Sequence, residues 1–573
     1  MRRPRAGIAV LAVAVATAAL FVVSKGKWSD ALIDSGREWI VPDALARGEL
    51  LYRDVVYWFG PFTPYFQAAF LKAFGSGFPA IVAAGAVSAL AALALLHVLL
   101  HRVAGRRAAA LWTALAIPAL VFMPNAGGAL LGMGYRIWQA ALFALGAVAL
   151  ASRPPKRSLA GAAIGAGACA ALSGLCRTEW GLAAVAAAAL AAFLRPRRRS
   201  FGVRAAALVL AAHAAVFAVG IAVFLRAAGP DAVLVDGHLL FGRLPPETRH
   251  FLIAFSGVQD WRPGLLEMMY SAAAWAGLAV VVAWVSWPRG SPKPRGLAVG
   301  LGVSVGVLAL AALAGGAGSA VLFSAAPLVS LAATVAGLRR KRGSPAAALA
   351  ASGALGFVLS YRRPFHIGDS AYVGPPLLFA FVAAAGLLHL ATAARRRSSE
   401  RRALERGFGR LLAVLVIAAF AARIAEYAAI EAVPIAGTAG MLSARPEVAR
   451  EIEELGVLLH ARTAEGEGVA VFPEGEVLNF LSGRPNPIRH QLYLPGYLSA
   501  DDEAQVLAEL RARPPAAVVF WRRPVSEYDR ALFGEDYGRQ IRSWIEEKYD
   551  VEPFRASGAP ARAYPRFTVG WRR

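Results

Sequence analysis

Charge is scarce in this chain of 573 residues: Asp, Glu, Lys and Arg together make up 17%, against 57% hydrophobic residues, and the mean hydropathy is +0.50. Soluble domains carry about 25% charged residues, so a wholly soluble fold is excluded. Cysteine is nearly absent. Cys169 and Cys176 are the only two, and seven positions apart in one predicted helix they stand about 10 Å from each other, too far to bridge. They read as small apolar packing residues, with no thiol or metal chemistry. Lysine is rare as well, 7 against 54 arginines, a composition of GC-rich bacterial genomes that carries no mechanism. Acidic residues are thin where the chain is most apolar. The part from Met1 to Gly440 holds 43 basic and 17 acidic residues, whereas the remainder from Met441 holds 18 and 20. The net charge of +24 therefore belongs to the apolar part, where it sets membrane orientation and does not imply nucleic acid.

What the chain has in abundance is apolar runs of a length that crosses a bilayer, rich in Ala, Leu, Val and Gly and bounded by Arg clusters or by Trp, Tyr and Pro. About thirteen spans are expected, at residues 6–24, 79–100, 108–123, 137–152, 159–175, 181–194, 205–225, 268–287, 297–314, 318–337, 346–360, 374–394 and 411–432. With the N-terminus in the cytoplasm, the cytoplasmic links contain HRVAGRR, RPPKR, RPRRRSFGVR, PRGSPKPR, RRKRGS and RRRSSERR, and each obeys the positive-inside rule. Of the acids in this part, only Glu400 and Glu405 fall in such a link. An odd number of spans places the C-terminal part outside the cytoplasm. The pair of spans flanking SGLCRTEWG has a re-entrant alternative. The run after MRRPR is about 18 residues, longer than the apolar region of a signal peptide, and is expected to be retained.

From Met441 onward the pattern changes. EVAREIEELGVLLHAR reads as an amphipathic helix, EGVAVFP as a buried strand, DEAQVLAELRAR as a helix and AAVVFW as a strand, with RQIRSWIEEKYD and FTVGWR continuing the alternation. This predicts a βαβ layer, and no phosphate-binding loop accompanies it. The fold class expected is an all-α polytopic membrane domain over residues 1–440 with a small extracytoplasmic α/β domain over residues 441–573. The segment NFLSGRPNPIRHQLYLPGYL reads as a loop on the membrane surface or over a site below it.

The largest departure from the Ala-Leu pattern is the first outer loop, residues 25–78, which holds Asp30, Asp34, Glu38, Asp43, Glu49 and Asp54. Asp34 and Glu38, four apart, share a helical face, and Asp43 reads as a solvated helix residue. Phe62, Tyr65, Phe66, Phe70 and Phe74 recur at helical spacing after Gly60 and Pro61, which predicts a helix lying along the outer interface. A solvated connector is the plain alternative to a site at the membrane surface.

The stretch DSGREWIVPDALARGELLYRDVVYWFGPFTPYFQAAFLKAFG resembles the first outer loop of the GT-C superfamily of polytopic membrane glycosyltransferases, in particular the bacterial relatives of protein O-mannosyltransferases and aminoarabinose transferases. The shared pattern is an acid near the first span, a helix ending in a Gly-containing turn, a Tyr-Arg-Asp step, then Gly-Pro and an aromatic helix. The resemblance implies inverting transfer of a sugar from a polyprenyl-phosphate-linked donor to a glycan, lipid or protein acceptor on the extracytoplasmic side of a bacterial inner membrane. It implies membrane lipids as surroundings and no nucleic acid. One departure stands out: many members have two adjacent acids, whereas Asp34 is followed by Ser35. No cofactor follows from this, a divalent cation is left open, and Asp54 or Glu38 remains as the second carboxylate.

The chemistry asked of such a site is a carboxylate to take the acceptor's proton and cations to receive the phosphate charge. Asp34 is the expected general base, with Glu38 and Asp54 beside it. Arg53, Arg136, Arg177, Arg362, Arg363 and His366 are the expected donors to the substrate, with Glu179 and Asp369 nearby in RTEWG and RRPFHIGDSAYVG. Each has a structural alternative: Arg53 and Arg136 as interfacial anchors, Arg177 paired with Glu179, His366 as a surface residue. The segment DAVLVDGHLLFGRLPPETRHF reads as a lid or a connector. Two other classes fit the same topology, a lipid-linked-glycan flippase or transporter and a non-catalytic membrane assembly protein. The transporter class favours mid-span charges and paired broken halves, and few such charges are present.

Overall fold

The computed structural model describes all residues except 1–2, 34, 125–127, 132–134, 155–158, 197–198, 237–260, 289–323, 361–373, 396, 496, 499 and 559–563. The apolar part runs through α1 (Arg3–Ser24), α2 (Ser35–Arg47), α3 (Phe62–Phe74), α4 (Phe78–Ala104), α5 (Arg106–Ala116), α6 (Tyr135–Ala151) and α7 (Leu159–Cys176). It continues through α8 (Thr178–Leu194), α9 (Arg199–Ala228), α10 (Trp261–Ser286), α11 (Ala326–Arg339), α12 (Ser344–Ser360), α13 (Gly374–Ala393) and α14 (Ser398–Ala429).

Six of these, α1, α4, α9, α10, α13 and α14, contain apolar stretches long enough to cross a membrane. Helices α6, α7, α8, α11 and α12 are apolar but shorter. The protein is thus a multi-pass membrane protein, with thirteen spans remaining an expectation. Helices lie at twelve of the expected spans, and the thirteenth, 297–314, falls outside the described residues. Ile8, Val10, Leu11 and Val15 of α1 are exposed, a surface suited to lipid and unsuited to water. Where re-entry was an alternative, α7 and α8 pack on each other with Arg177 alone between them.

Helix α14 ties several helix ends together. At the end of α5 the chain widens into a π turn, Ile117–Val121, which contains Pro118, and such a turn leaves carbonyls without intrahelical partners. Arg423 Nε donates to the Pro118 carbonyl at 3.0 Å and the Tyr427 hydroxyl to that of Phe122 at 3.1 Å. Lys27 Nζ, just beyond α1, then caps α14 itself, donating to the carbonyls of Tyr427 and Ile430 at 2.9 and 3.1 Å.

Beyond α14 a two-stranded ribbon, β1 (Val433–Pro434) with β2 (Ser443–Ala444), leads to α15 (Pro446–Arg462). Then follow β3 (Val469–Phe472), α16 (Val477–Ser482), α17 (Ala500–Ala512), β4 (Ala517–Trp521), α18 (Arg539–Lys548), β5 (Tyr549–Phe554) and β6 (Phe567–Arg572). The sheet order is β3-β4-β6-β5, with β3 and β4 parallel and the other pairs antiparallel. The expected βαβ unit is therefore β3-α16-α17-β4. Strand β5 extends the sheet beyond the expected alternation; it is an edge strand with only Tyr549 buried, so its sequence shows little apolar signal.

Candidate active site

The segment expected as the first outer loop is not a loose connector. Its helix α2 buries Trp39, Ile40, Val41, Ala44 and Leu45 along with two acids, Glu38 and Asp43. Asp43 corrects the reading of a solvated residue: it is 5% exposed, pairs with Arg47 one turn on, and accepts a hydrogen bond from the Ser76 hydroxyl. It thereby ties α2 to the turn between α3 and α4. The aromatic helix forms as expected, α3 packing against α2 and α4. The rings of Phe62, Phe66, Phe70 and Phe74 follow one another along it, with centroids 5.1 to 5.8 Å apart.

Between α2 and α3 the chain makes a tight excursion. Asp54 closes a turn by accepting from the Leu50 amide at 2.8 Å, and Tyr52 takes a left-handed backbone conformation, φ +69°, which costs energy in a bulky residue. The Tyr52 hydroxyl donates to the Phe59 carbonyl at 2.6 Å. The next residue is Gly60, where a Cβ would lie 2.0 Å from the Leu175 carbonyl oxygen. Only glycine lets the loop come this close to the end of α7, and the Gly60 amide donates to the Cys176 carbonyl there at 3.3 Å.

This approach delivers the Phe59 ring to two arginines. The Arg136 guanidinium carbon stands 3.7 Å from the ring centroid and that of Arg177 5.4 Å, both within cation–π range. Arg136, in the first turn of α6, is 2% exposed. Its Nη1 meets Glu38 Oε1 at 3.2 Å, and Glu38 Oε2 accepts from Gln67 Nε2 of α3 at 3.3 Å. Arg177, the residue between α7 and α8, pairs with Glu179 at 2.5 Å. Tyr57 is buried beside Arg136 and Glu38; burial pushes its hydroxyl well above the ordinary value, against the pull of Arg136.

The expected site residues therefore separate. Arg136 and Arg177 come to Phe59, each with its carboxylate partner, Glu38 and Glu179. Arg53 and Asp54 do not join them: they pair with each other at 2.7 Å on the surface, with side chains 57% and 33% exposed. The Arg53 hydrogen bond holds the Asp54 carboxyl below the ordinary range. Asp34, Arg362, Arg363, His366 and Asp369 lie outside the described residues, as does most of the expected lid. Among the described residues there is no cluster of three or more His, Cys, Asp or Glu able to hold a metal ion.

Sequence reading missed Phe59, Tyr57 and Gln67, whose types are common in any apolar loop. It also missed the turn Glu474-Gly475-Glu476 after β3. Gly36 at the start of α2 touches that turn, for a Cβ there would lie 2.3 Å from the Val477 amide nitrogen. Glu474 and Glu476 are 1% and 2% exposed, and Arg523 after β4 bridges Glu474 at 2.8 Å and Glu527 at 2.9 Å. Both groups sit at the carboxyl ends of the parallel strands, where α/β sheets tend to place ligand-facing groups. The one available signal was the PEGE turn directly after a buried strand.

No protein-family model matches the chain, and no curated protein matches it. Among solved structures it is similar to ArnT from Cupriavidus metallidurans in the apo state, at 15% identity over 99% of this chain and 98% of that one, TM-score 0.48. ArnT bound to undecaprenyl phosphate aligns at 16% identity over 98% of both chains, TM-score 0.48. The Archaeoglobus fulgidus oligosaccharyltransferase in complex with Zn and sulfate aligns at 14% identity, over 89% of this chain and 68% of that one, TM-score 0.48. These likenesses are distant, and the functional reading of this chain rests on its own side chains.

Proposed function

We propose that this protein is a membrane glycosyltransferase that moves a sugar from a polyprenyl-phosphate-linked donor to an extracytoplasmic acceptor, with inversion at the anomeric carbon and Asp34 as general base. One observation carries the reading: two guanidinium groups, Arg136 and Arg177, both stand within cation–π range of the Phe59 ring at the ends of apolar helices. A lipid whose chain lies between such helices would bring its phosphate to that level. Arginine suits a phosphate because its planar fork donates two hydrogen bonds at once. Glu38 balances the Arg136 charge and keeps the guanidinium oriented.

In the reaction the acceptor oxygen attacks the anomeric carbon from the face opposite the phosphate. Its proton passes to the Asp34 carboxylate, the carbon–oxygen bond to the phosphate breaks, and polyprenyl phosphate leaves with its charge received by Arg136 and Arg177. Gly36, two residues after Asp34 in sequence, packs against the Glu474–Glu476 turn. The N-terminus is cytoplasmic and the C-terminal α/β region extracytoplasmic, in a bacterial inner membrane.

The test is transfer of radiolabel from a polyprenyl-phosphate sugar to membrane acceptors by the purified protein. Transfer that disappears in Arg136→Gln and Asp34→Asn supports the reading. Binding of the lipid with no transfer to any acceptor fraction would favour a flippase or an assembly protein.

A further inference from the structure

The turn that carries Phe59 is held from outside the membrane part. Arg489, in the loop between α16 and α17, donates from Nη2 to the Tyr52 carbonyl at 2.8 Å, and its own carbonyl accepts from the Val56 amide at 2.9 Å. Next to this pair, the Trp58 and Tyr497 rings lie 3.9 Å apart between centroids. Arg489 is itself fixed by α17, its amide donating to Glu509 Oε2 at 2.8 Å. The residue gripped is the one with the left-handed backbone, Tyr52, which is 1% exposed. A conformation of that kind persists only where its surroundings over-determine it. From Tyr52 the hydroxyl runs to the Phe59 carbonyl, and Arg136 and Arg177 both stand within cation–π range of the Phe59 ring.

We propose that Arg489 is a positioning residue for the two-arginine site: it holds the strained turn at Tyr52 and, through the Tyr52 hydroxyl, fixes the Phe59 ring that orients Arg136 and Arg177 toward a lipid phosphate. The C-terminal α/β region is then a working part of the site and not a passive appendage. The ligand half of this inference rests on the function proposed above; the mechanical half does not. The guanidinium bond to the Tyr52 carbonyl and the hydroxyl bond to the Phe59 carbonyl act in series, so cutting either one loosens the same platform. Loss of one such hydrogen bond is expected to weaken binding by about tenfold.

The experiment uses the full-length protein in detergent, with undecaprenyl phosphate as probe and undecaprenol, which lacks the phosphate, as control. Arg489→Ala and Tyr52→Phe should each weaken undecaprenyl phosphate binding about tenfold, with undecaprenol binding unaffected and the apolar helices still folded at the assay temperature. The double variant should be no worse than either single one, because both act on one chain of contacts. Arg489→Lys, which still donates to the Tyr52 carbonyl, should recover part of the affinity. In hydrogen exchange, peptides covering residues 50–60 should exchange faster in Arg489→Ala while those of α4 and α13 do not. Unchanged exchange at 50–60, or unchanged phosphate affinity in Arg489→Ala, overturns the proposal. If the parent binds undecaprenyl phosphate no better than undecaprenol, the proposed function fails, and the exchange measurement alone then decides whether Arg489 positions the turn.

Discussion

Glu38 and Asp43 share helix α2 and are equally buried, but their partners differ in kind. Glu38 faces a guanidinium that itself has almost no access to solvent, whereas Asp43 pairs with Arg47, whose side chain is 45% exposed. Glu38→Gln leaves Arg136 buried without its counter-charge, and breaking a buried pair costs on the order of 3–5 kcal/mol. A large drop in thermal midpoint is expected, and excess phosphate lipid should restore part of it by supplying the missing negative charge. Asp43→Ala removes the tie to Ser76 and should cost about 1–3 kcal/mol of stability, with transfer per folded molecule within a few-fold of the parent. Asp34→Asn should do the opposite. Asparagine keeps the shape of the side chain but takes no proton, so transfer should fall by about 10² to 10⁴ at a matched thermal midpoint. Folded Asp34→Asn protein with near-parental turnover would move the search for the base to Glu38. Asp54, tied to Arg53 on the surface, is a poorer second candidate.

Elements of this fold meet through backbone where side chains would keep them apart, and the loop of α16 and α17 holds a titratable group that reports on the joint. At Gly36 an added Cβ would press on the Val477 amide and the Glu476 backbone, neither of which can swing away. Gly36→Ala should therefore loosen α2 from α16 and expose the 483–498 loop to protease, while the apolar helices stay protected; equal cleavage of parent and variant would count against this contact. His490, next to Arg489, is 4% exposed. Burial holds its imidazole below the ordinary value, against Glu509 and Asp502, which favour the charged ring. Below pH about 6.5 the unfolded chain takes up a proton that the folded one resists. Stability should thus decline as pH falls from about 6.5 toward the lower folded value. Thermal unfolding of the parent at pH 7.5 and 5.5 should show a larger drop than the same pair of measurements on His490→Gln.

At the scale of the whole molecule the prediction concerns sidedness. Arginine clusters sorted to one set of links set the orientation, so an alkaline phosphatase fusion at Arg573 should be active and a cytoplasmic reporter there silent; the reverse would change the parity of the spans. The helices themselves were legible in the sequence, because a run such as Phe78–Ala104 has no alternative to crossing lipid or being buried, and every backbone group in lipid must bond within its own helix. The βαβ unit was legible for a related reason: VAVF and AVVFW are buried on both faces and therefore read as continuous apolar runs. Strand β5, half wet and at an edge, had no such constraint to print. Sequence likewise named Glu38 as a candidate second carboxylate and Arg136 and Arg177 as candidate donors to a phosphate. It had no means of saying that Arg136 pairs with Glu38 and shares the Phe59 ring with Arg177, or that Arg53 and Asp54 turn away to each other. That choice depends on Phe59, on the close passage of Gly60 past Leu175, and on an arginine more than 400 positions downstream gripping Tyr52. Local patterning decides which segments are apolar; which charges share a site is decided by contacts between segments far apart in the chain, and these leave no periodic trace.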